Sequence, residues 1–162
     1  MNSNFKGMKL TTNDSNLGNA IHIDNTTSKV RIDGCEFNDC GNKGTVISSN
    51  GYNVVIENTN IVFTALSSCQ GIVVQYESHF EMINSTISNC ISSKEGGAFS
   101  YLSNLRNFSD ENVLIDNCHF KSNKASQNGG AVGIHSSGII RIINVTFEKN
   151  TDNYKQQTSF EL

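Results

Sequence analysis

The sequence predicts an all-β protein folded as a right-handed parallel β-helix, or solenoid, of about six coils. Three observations support this prediction: an apolar pattern that recurs six times, short alternating runs typical of strands, and Gly or Asn residues between the runs. The chain has 162 residues, and we expect one domain over 1–162.

Each repeat is built around a small polar residue that lies between two apolar positions. Apolar residues stand two positions before and three positions after this centre in all six repeats, although they make up only 36% of the chain. The steps between centres are 27, 24, 26, 33 and 27 residues, so the mean repeat is about 27 residues. The centres are Gly7, Gly34, Asn58, Asn84, Asn117 and Asn144.

Stacking of these repeats would align like residues into internal columns, because strands of adjacent coils pair about 4.8 Å apart. We expect two apolar columns and one column of small polar residues that bond like an Asn ladder. The first apolar column is Phe5, Ile32, Ile56, Met82, Ile115 and Ile142. The second is Leu10, Phe37, Ile61, Ile87, Phe120 and Phe147. The polar column is Asn13, Cys40, Thr64, Cys90, Asn123 and Asn150.

Five of the six repeats continue through small residues into a third β-prone run. We align Gly71, Gly97 and Gly130 at this step, since each follows its second-column residue by ten positions. Gly at such a corner would supply backbone conformations that other residues rarely adopt. The sixth repeat lacks this half and runs into a polar tail, 151–162.

Two motifs of the repeat resemble those of a known family. Phe120 and Asn123, followed by Gly129-Gly130-Ala131-Val132, resemble the paired FxxN and GGA(I/L/V) motifs of the polymorphic outer-membrane (Pmp-like) proteins. Residues 147–150 repeat the first motif, 96–99 repeat the second, and 10–13 form a looser copy of the first. The second, third and fourth repeats depart from the family pattern, because Cys40, Thr64 and Cys90 replace its Asn.

The resemblance implies a non-enzymatic β-helical protein of the cell surface or the extracellular space, acting in adhesion or host interaction. It implies an unknown protein or glycan ligand, no active site and no cofactor. The first ten residues lack the apolar run of a signal peptide, and no apolar run is long enough to span a bilayer. The first coil begins about two residues after Met1 and the sixth coil lacks its Gly-Ala half, which leaves no room for the polar capping repeats that solenoids need. For this reason we expect a fragment of a longer β-helix whose uncovered ends associate end to end.

One step of the repeat is longer than the others. The 33 residues between Asn84 and Asn117 include about six extra residues, centred on 102–111. Insertions in solenoids form protruding loops, which often carry function. We expect a candidate interaction loop that presents Leu102, Leu105, Arg106 and Phe108, with a merely tolerated insertion as the alternative.

The alternative function is a carbohydrate-active β-helix enzyme, pectate-lyase-like or polygalacturonase-like, with degenerate motifs. His135 and Arg141 faintly resemble the His and Arg motifs of polygalacturonases, but paired acids do not precede them. Asp33, Glu57 and Asp116 share one column, which favours a charged stripe outside the coil. We assign no catalytic or metal residues, and the scattered Lys and Arg residues argue against nucleic-acid binding.

The cysteines are odd in number and contain no CxxC pair for zinc. Cys35 and Cys118 share one column, and Cys40 and Cys90 share another. Cys40 and Cys90 would lie two coils apart, or about 9.6 Å, which is beyond disulfide reach. We expect the thiols to be buried and mostly free.

Overall fold

The computed structural model describes residues 3–6, 9–11, 20–23, 29–40, 44–50, 53–75, 79–102, 112–135 and 138–153. Side chains are described from residue 20 onward, except at 65–67 and 112. The described residues form 18 β-strands and no helix, so the all-β prediction is confirmed. The strands belong to three sheets, and every pair of neighbouring strands is parallel.

The first sheet has six strands, and each strand ends one residue before a repeat centre. In sheet order the strands are β1 (Ser3–Lys6), β4 (Lys29–Asp33), β7 (Asn53–Glu57), β10 (His79–Ile83), β13 (Asn112–Asp116) and β17 (Ile139–Ile143). The sheet therefore contains one strand from every repeat.

The second and third sheets follow the first within each coil. The second sheet contains β2 (Lys9–Thr11), β5 (Glu36–Asn38), β8 (Asn60–Ser67), β11 (Thr86–Ser92), β14 (His119–Lys121) and β18 (Thr146–Glu148), and the short β15 (Lys124–Ala125) pairs with the end of β11. The third sheet contains β3 (Ile21–Ile23), β6 (Thr45–Ser49), β9 (Gln70–Gln75), β12 (Phe99–Leu102) and β16 (Val132–His135).

These sheets wind into a parallel β-solenoid. Four consecutive coils, from β4 to β16, have three strands with described side chains. The first coil has described side chains only around β3, and the sixth has two strands in the described part of the chain. The expected six coils are therefore four full turns between two partial ones. The contacts between the described strands do not test the right-handedness of the solenoid, which stays a prediction.

The two predicted apolar columns are confirmed by the strand register. Ile32, Ile56, Met82, Ile115 and Ile142 pair in succession in the first sheet. Phe37, Ile61, Ile87, Phe120 and Phe147 pair in succession in the second. Among the residues with described side chains, both columns are almost fully buried until the sixth coil, where Ile142 and Phe147 are only partly buried.

The repeat centres are tight corners between the first and second sheets. Asn58, Asn84, Asn117 and Asn144 have positive φ between 49° and 52°, and Gly34 has φ 62°. Asn tolerates this left-handed conformation better than most residues, which explains why Asn can replace Gly at this position. The Asn side chains also form a ladder on the exposed surface, where Asn84 Nδ2 donates to Asn58 Oδ1 at 3.3 Å and Asn117 Nδ2 donates to Asn84 Oδ1 at 2.7 Å.

The predicted polar column contains an internal ladder in its last two coils. Asn123 Oδ1 accepts the Cys90 N–H at 3.1 Å, and its Nδ2 donates to Ile87 O at 3.0 Å. Asn150 does the same one coil later, accepting the Asn123 N–H at 2.9 Å and donating to Phe120 O at 2.9 Å. In these two FxxN motifs the Asn therefore bonds its own coil to the preceding one.

The predicted polar column was wrong in the third coil, where it included Thr64. This residue is exposed, and its N–H donates to Asp39 Oδ1 at 2.8 Å. Strand β8 extends to Ser67, and its register against β11 shifts between Ser88 and Cys90. Because the corner comes later, the buried residue between Cys40 and Cys90 is Cys69, whose Sγ lies 3.5 Å from Cys40 O.

The Gly-Gly-Ala steps are places where adjacent coils come into backbone contact. Gly96 and Gly129 have positive φ of 60° and 65°. A Cβ on Gly97 would lie 2.3 Å from Gly130 O, so only Gly fits there. The alignment of Gly71 with Gly97 was wrong by one residue, because Ile72 pairs with Phe99 and Gly71 therefore lies beside Ala98.

The longest step between repeat centres, from Asn84 to Asn117, does not change the register of the internal columns. Strand β12 ends at Leu102, β13 begins at Asn112, and Val113 pairs with Phe80 in the normal register. The insertion is therefore accommodated between these two strands. Residues 103–111 lie outside the described residues, and with them Leu105, Arg106 and Phe108 of the candidate interaction loop.

Ile115→Asp should destabilise the solenoid strongly, by about 3–5 kcal/mol, because it places an unpaired charge at a fully buried position. Leu114→Asp is the matched control, since Leu114 faces outward in the same strand and pairs with Arg141. Thermal denaturation followed by circular dichroism would measure both variants. Equal melting temperatures for Ile115→Asp and the unmodified protein would contradict the register.

Candidate functional site

A polar groove of about 870 Å³ lies along the outer surface of the third sheet. Its floor includes the outward side chains of Val73 and Ser100, which pair in β9 and β12. Its wall comes from the bends that connect the second and third sheets, including Ser93 and Ser126. Four successive coils contribute lining residues, among them Thr45, Gln70, Gln75, Lys94, Leu102 and Gln127.

Glu95 lies in this wall, held by the bend that follows β11. Its carbonyl accepts hydrogen bonds from Ser92 Oγ at 3.1 Å and Gln70 Nε2 at 3.0 Å. The same Gln70 amide donates to Gly96 O at 2.8 Å, so the bend is tied to the preceding coil. Glu95 also packs over Gly133, where an added Cβ would lie 3.2 Å from Glu95 Cβ.

Glu95 and His135 form a hydrogen-bonded acid–imidazole pair in the groove. Glu95 Oε2 contacts His135 Nε2, although the two residues are 40 positions apart. The His135 side chain is 50% exposed and that of Glu95 is 22% exposed, so a ligand in the groove could reach both. The pair offers a fixed carboxylate acceptor and an oriented imidazole.

The sequence singled out His135 but missed Glu95 and the groove. Glu95 belongs to a bend outside the recurring apolar positions, so the repeat pattern contains no signal for it. His135 could have been placed, because it pairs in the column of Gln75 and Leu102. Leu102, the described member of the candidate interaction loop, is half-buried and lines the groove.

His135 and Arg141 lie on different sheets. His135 ends β16 of the third sheet, whereas Arg141 is an exposed residue of β17 in the first sheet. The structure therefore does not bring together the two residues that resembled a polygalacturonase motif.

The predicted charged stripe lies outside the first sheet, away from the groove. Asp33, Glu57 and Asp116 occupy one outward column, in which Ile83 separates the last two. The Arg31 guanidinium lies 2.6 Å from Glu57 and 3.6 Å from Asp33. Asp33 and Glu57 are therefore engaged in ion pairing on the scaffold, while Asp116 Oδ1 accepts a hydrogen bond from Asn144 Nδ2 at 3.4 Å.

The cysteines occupy two internal columns, and all five are buried and free of disulfides. Burial raises the pKa of Cys69 to about 12 and that of Cys118 to about 11, and it raises the pKa of Cys90 well above its usual value. Neutral thiols in these positions are poor nucleophiles and poor metal ligands.

Comparison of the chain with protein-family models, curated proteins and solved structures found no match. Among the described His, Cys, Asp and Glu residues, no group of three is placed to hold a metal ion. The part of the chain that the structure describes contains no helix that could cross a membrane.

The five thiols should stay unmodified by iodoacetamide in the folded protein at pH 8 and react fully in denaturant, because all five are buried away from the reagent. Since the pKa values of Cys69, Cys90 and Cys118 are raised in the folded state, the stability that depends on these neutral thiols should be fully present below pH about 9 and decrease as the pH rises towards 11–12. Mass spectrometry of the alkylated chain and alkaline melting curves would measure both effects. Two or more disulfides in the isolated protein would contradict this expectation.

Proposed function

We propose that this chain is a non-enzymatic interaction module of a secreted or cell-surface protein, acting in adhesion or in binding a host or partner molecule. The groove over the third sheet carries the proposal. It collects polar side chains from four coils on one accessible surface and has the volume of a binding site.

The rigidity of the lining supports this proposal. The floor residues belong to strands that pair on both sides, and the wall at Glu95 is bonded to Gln70 and Ser92. A lining held in place before binding loses little conformational freedom when a ligand arrives. A groove lining that is already ordered therefore suits recognition of a ligand.

The resemblance to Pmp-like repeats supports the proposed location and context. The Asn123 and Asn150 side chains bond adjacent coils, and the Gly97–Gly130 contact excludes any side chain, so the FxxN and GGA motifs have definite roles in the solenoid. On this proposal the chain belongs to a longer surface-exposed β-solenoid of the Pmp-like kind.

The alternative is a carbohydrate-active enzyme, and the Glu95–His135 pair is the observation that favours it. An acid hydrogen-bonded to an imidazole could transfer a proton. However, glycosidases usually use two carboxylates, and Glu95 is the one carboxylate among the described residues that line the groove. We therefore prefer binding to catalysis.

Beads coated with the chain should adhere to fixed epithelial cell layers, and Ser93→Trp should reduce adhesion to background because it fills the rim of the groove. Asn60→Trp is the control, since Asn60 is exposed on the second sheet, outside the groove lining. Bead counts under flow would measure adhesion. Undiminished adhesion by Ser93→Trp would contradict a role for the groove, and release of new reducing ends from the cell surface would favour the enzyme.

We also propose end-to-end association through the sixth coil. Ile140, Ile142 and Phe147 are partly buried there, whereas their counterparts one coil earlier, Val113, Ile115 and Phe120, are at most 1% exposed. Among the described strands, β17 is the last of the first sheet, and its outer edge can template a further parallel strand.

Sedimentation from micromolar to millimolar protein should show growing end-to-end species. Ile142→Lys should suppress them, because a charge on the end face opposes apolar stacking, and Ile139→Lys should suppress them less, because Ile139 faces outward and is 51% exposed. Melting curves would verify that both variants fold. A monomer at every concentration would contradict the proposal.

A further inference from the structure

We infer that the groove binds an uncharged linear polysaccharide lying along the solenoid axis; this inference rests on the interaction function proposed above. The ligand class follows from three properties of the groove, namely its direction, the chemistry of its side chains and its balance of charge.

The groove runs across the strands. Its lining residues come from the second to the fifth coil, so corresponding positions recur about every 4.8 Å along the axis. Gln75, Leu102 and His135 form one such column of neighbours. A surface that repeats along one direction matches a polymer that repeats along the same direction, with one sugar unit spanning about one coil.

The side chains of the lining suit sugar hydroxyls. Gln75, Ser93, Ser126 and Gln127 each combine a hydrogen-bond donor with an acceptor, as a sugar hydroxyl does. Val73, Ile91 and Leu102 add small apolar surfaces against which the C–H faces of a sugar ring can lie. The lining thus offers polar and apolar surface together, as a pyranose chain does.

The charges of the groove nearly cancel. Lys94 and Glu95 are adjacent and opposite in sign, and His135 bonds the Glu95 carboxylate. A groove without a dominant sign does not select an anionic or cationic polymer. The Glu95 carboxylate can accept hydrogen bonds from neighbouring hydroxyls of one sugar unit, which makes it the strongest single contact of the site.

A protein partner fits this lining less well. Binding energy between proteins concentrates in Trp, Tyr and Arg side chains set in apolar pockets. The described lining contains none of these three residue types. The described lining therefore lacks the usual anchors of a protein interface.

The test measures binding of the purified chain to immobilised neutral polysaccharides (xyloglucan, mannan and a β-glucan), to the anionic polysaccharides alginate and polygalacturonate, and to the proteins fibronectin and collagen. Saturable binding to at least one neutral polysaccharide is expected. Glu95→Gln should weaken that binding about 10-fold or more, because a charge-assisted hydrogen bond becomes a neutral one. Glu57→Gln, which changes an acid on the first sheet in the same way, should leave the binding unchanged.

Each other outcome is decisive. Binding only to the anionic polysaccharides or to the two proteins would overturn the ligand class and leave the interaction function standing. Neutral binding that Glu95→Gln and Glu57→Gln weaken equally would overturn the role of the groove as the glycan site. Release of reducing ends would overturn the non-enzymatic function itself, and binding to none of these molecules would overturn the inference.

Discussion

Parallel pairing of each coil with the next, in constant register, is the constraint on which this structure depends. A backbone that must repeat its path every 24 to 33 residues has to turn at the same places in each coil. The left-handed residues Asn58, Asn84, Asn117 and Asn144 are stacked for this reason, with φ values that agree within a few degrees. Because the corners are stacked, the side chains that follow them are stacked as well, and each internal column must contain residues of similar size and polarity.

The two recurring motifs satisfy this constraint at corners where backbone groups would otherwise be buried without partners. Asn123 and Asn150 supply both an acceptor and a donor to the neighbouring coils, which the thiols of Cys40, Cys69 and Cys90 do far more weakly. Cys fits the same column because it is small and apolar enough to be buried with only a weak contact from Sγ to a backbone carbonyl. The Gly97–Gly130 contact solves a different problem, since there the coils approach so closely that no Cβ fits.

The sequence predicted the internal apolar columns, whose positions the repeat determines. It missed features of the corners and bends, whose positions the repeat does not determine. The columns through Ile115 and Phe120 were correct because a fixed spacing of apolar residues has one stacked solution. Thr64 was misplaced because the extension of β8 delays the corner, and Cys69 could be recognised only from the pairing of β8 with β11. Glu95 was missed because its position depends on how a bend folds over Gly133, which no periodicity encodes.

Scaffold and candidate site differ in the same way, because the repeat constrains the internal columns but not the bends. Variation in coil length is accommodated in the bends, since the long step before β13 leaves Val113 paired with Phe80. A bend that changes length or sequence therefore costs the core little, whereas a change in an internal column affects the coils on both sides. Glu95 and the other wall residues lie in bends, while Ser100 and Val73 on the floor use the outward half of strands whose inward half is the core. The solenoid can thus present different groove linings on one unchanged stack, and on the proposed interaction function the lining rather than the repeat would determine the ligand.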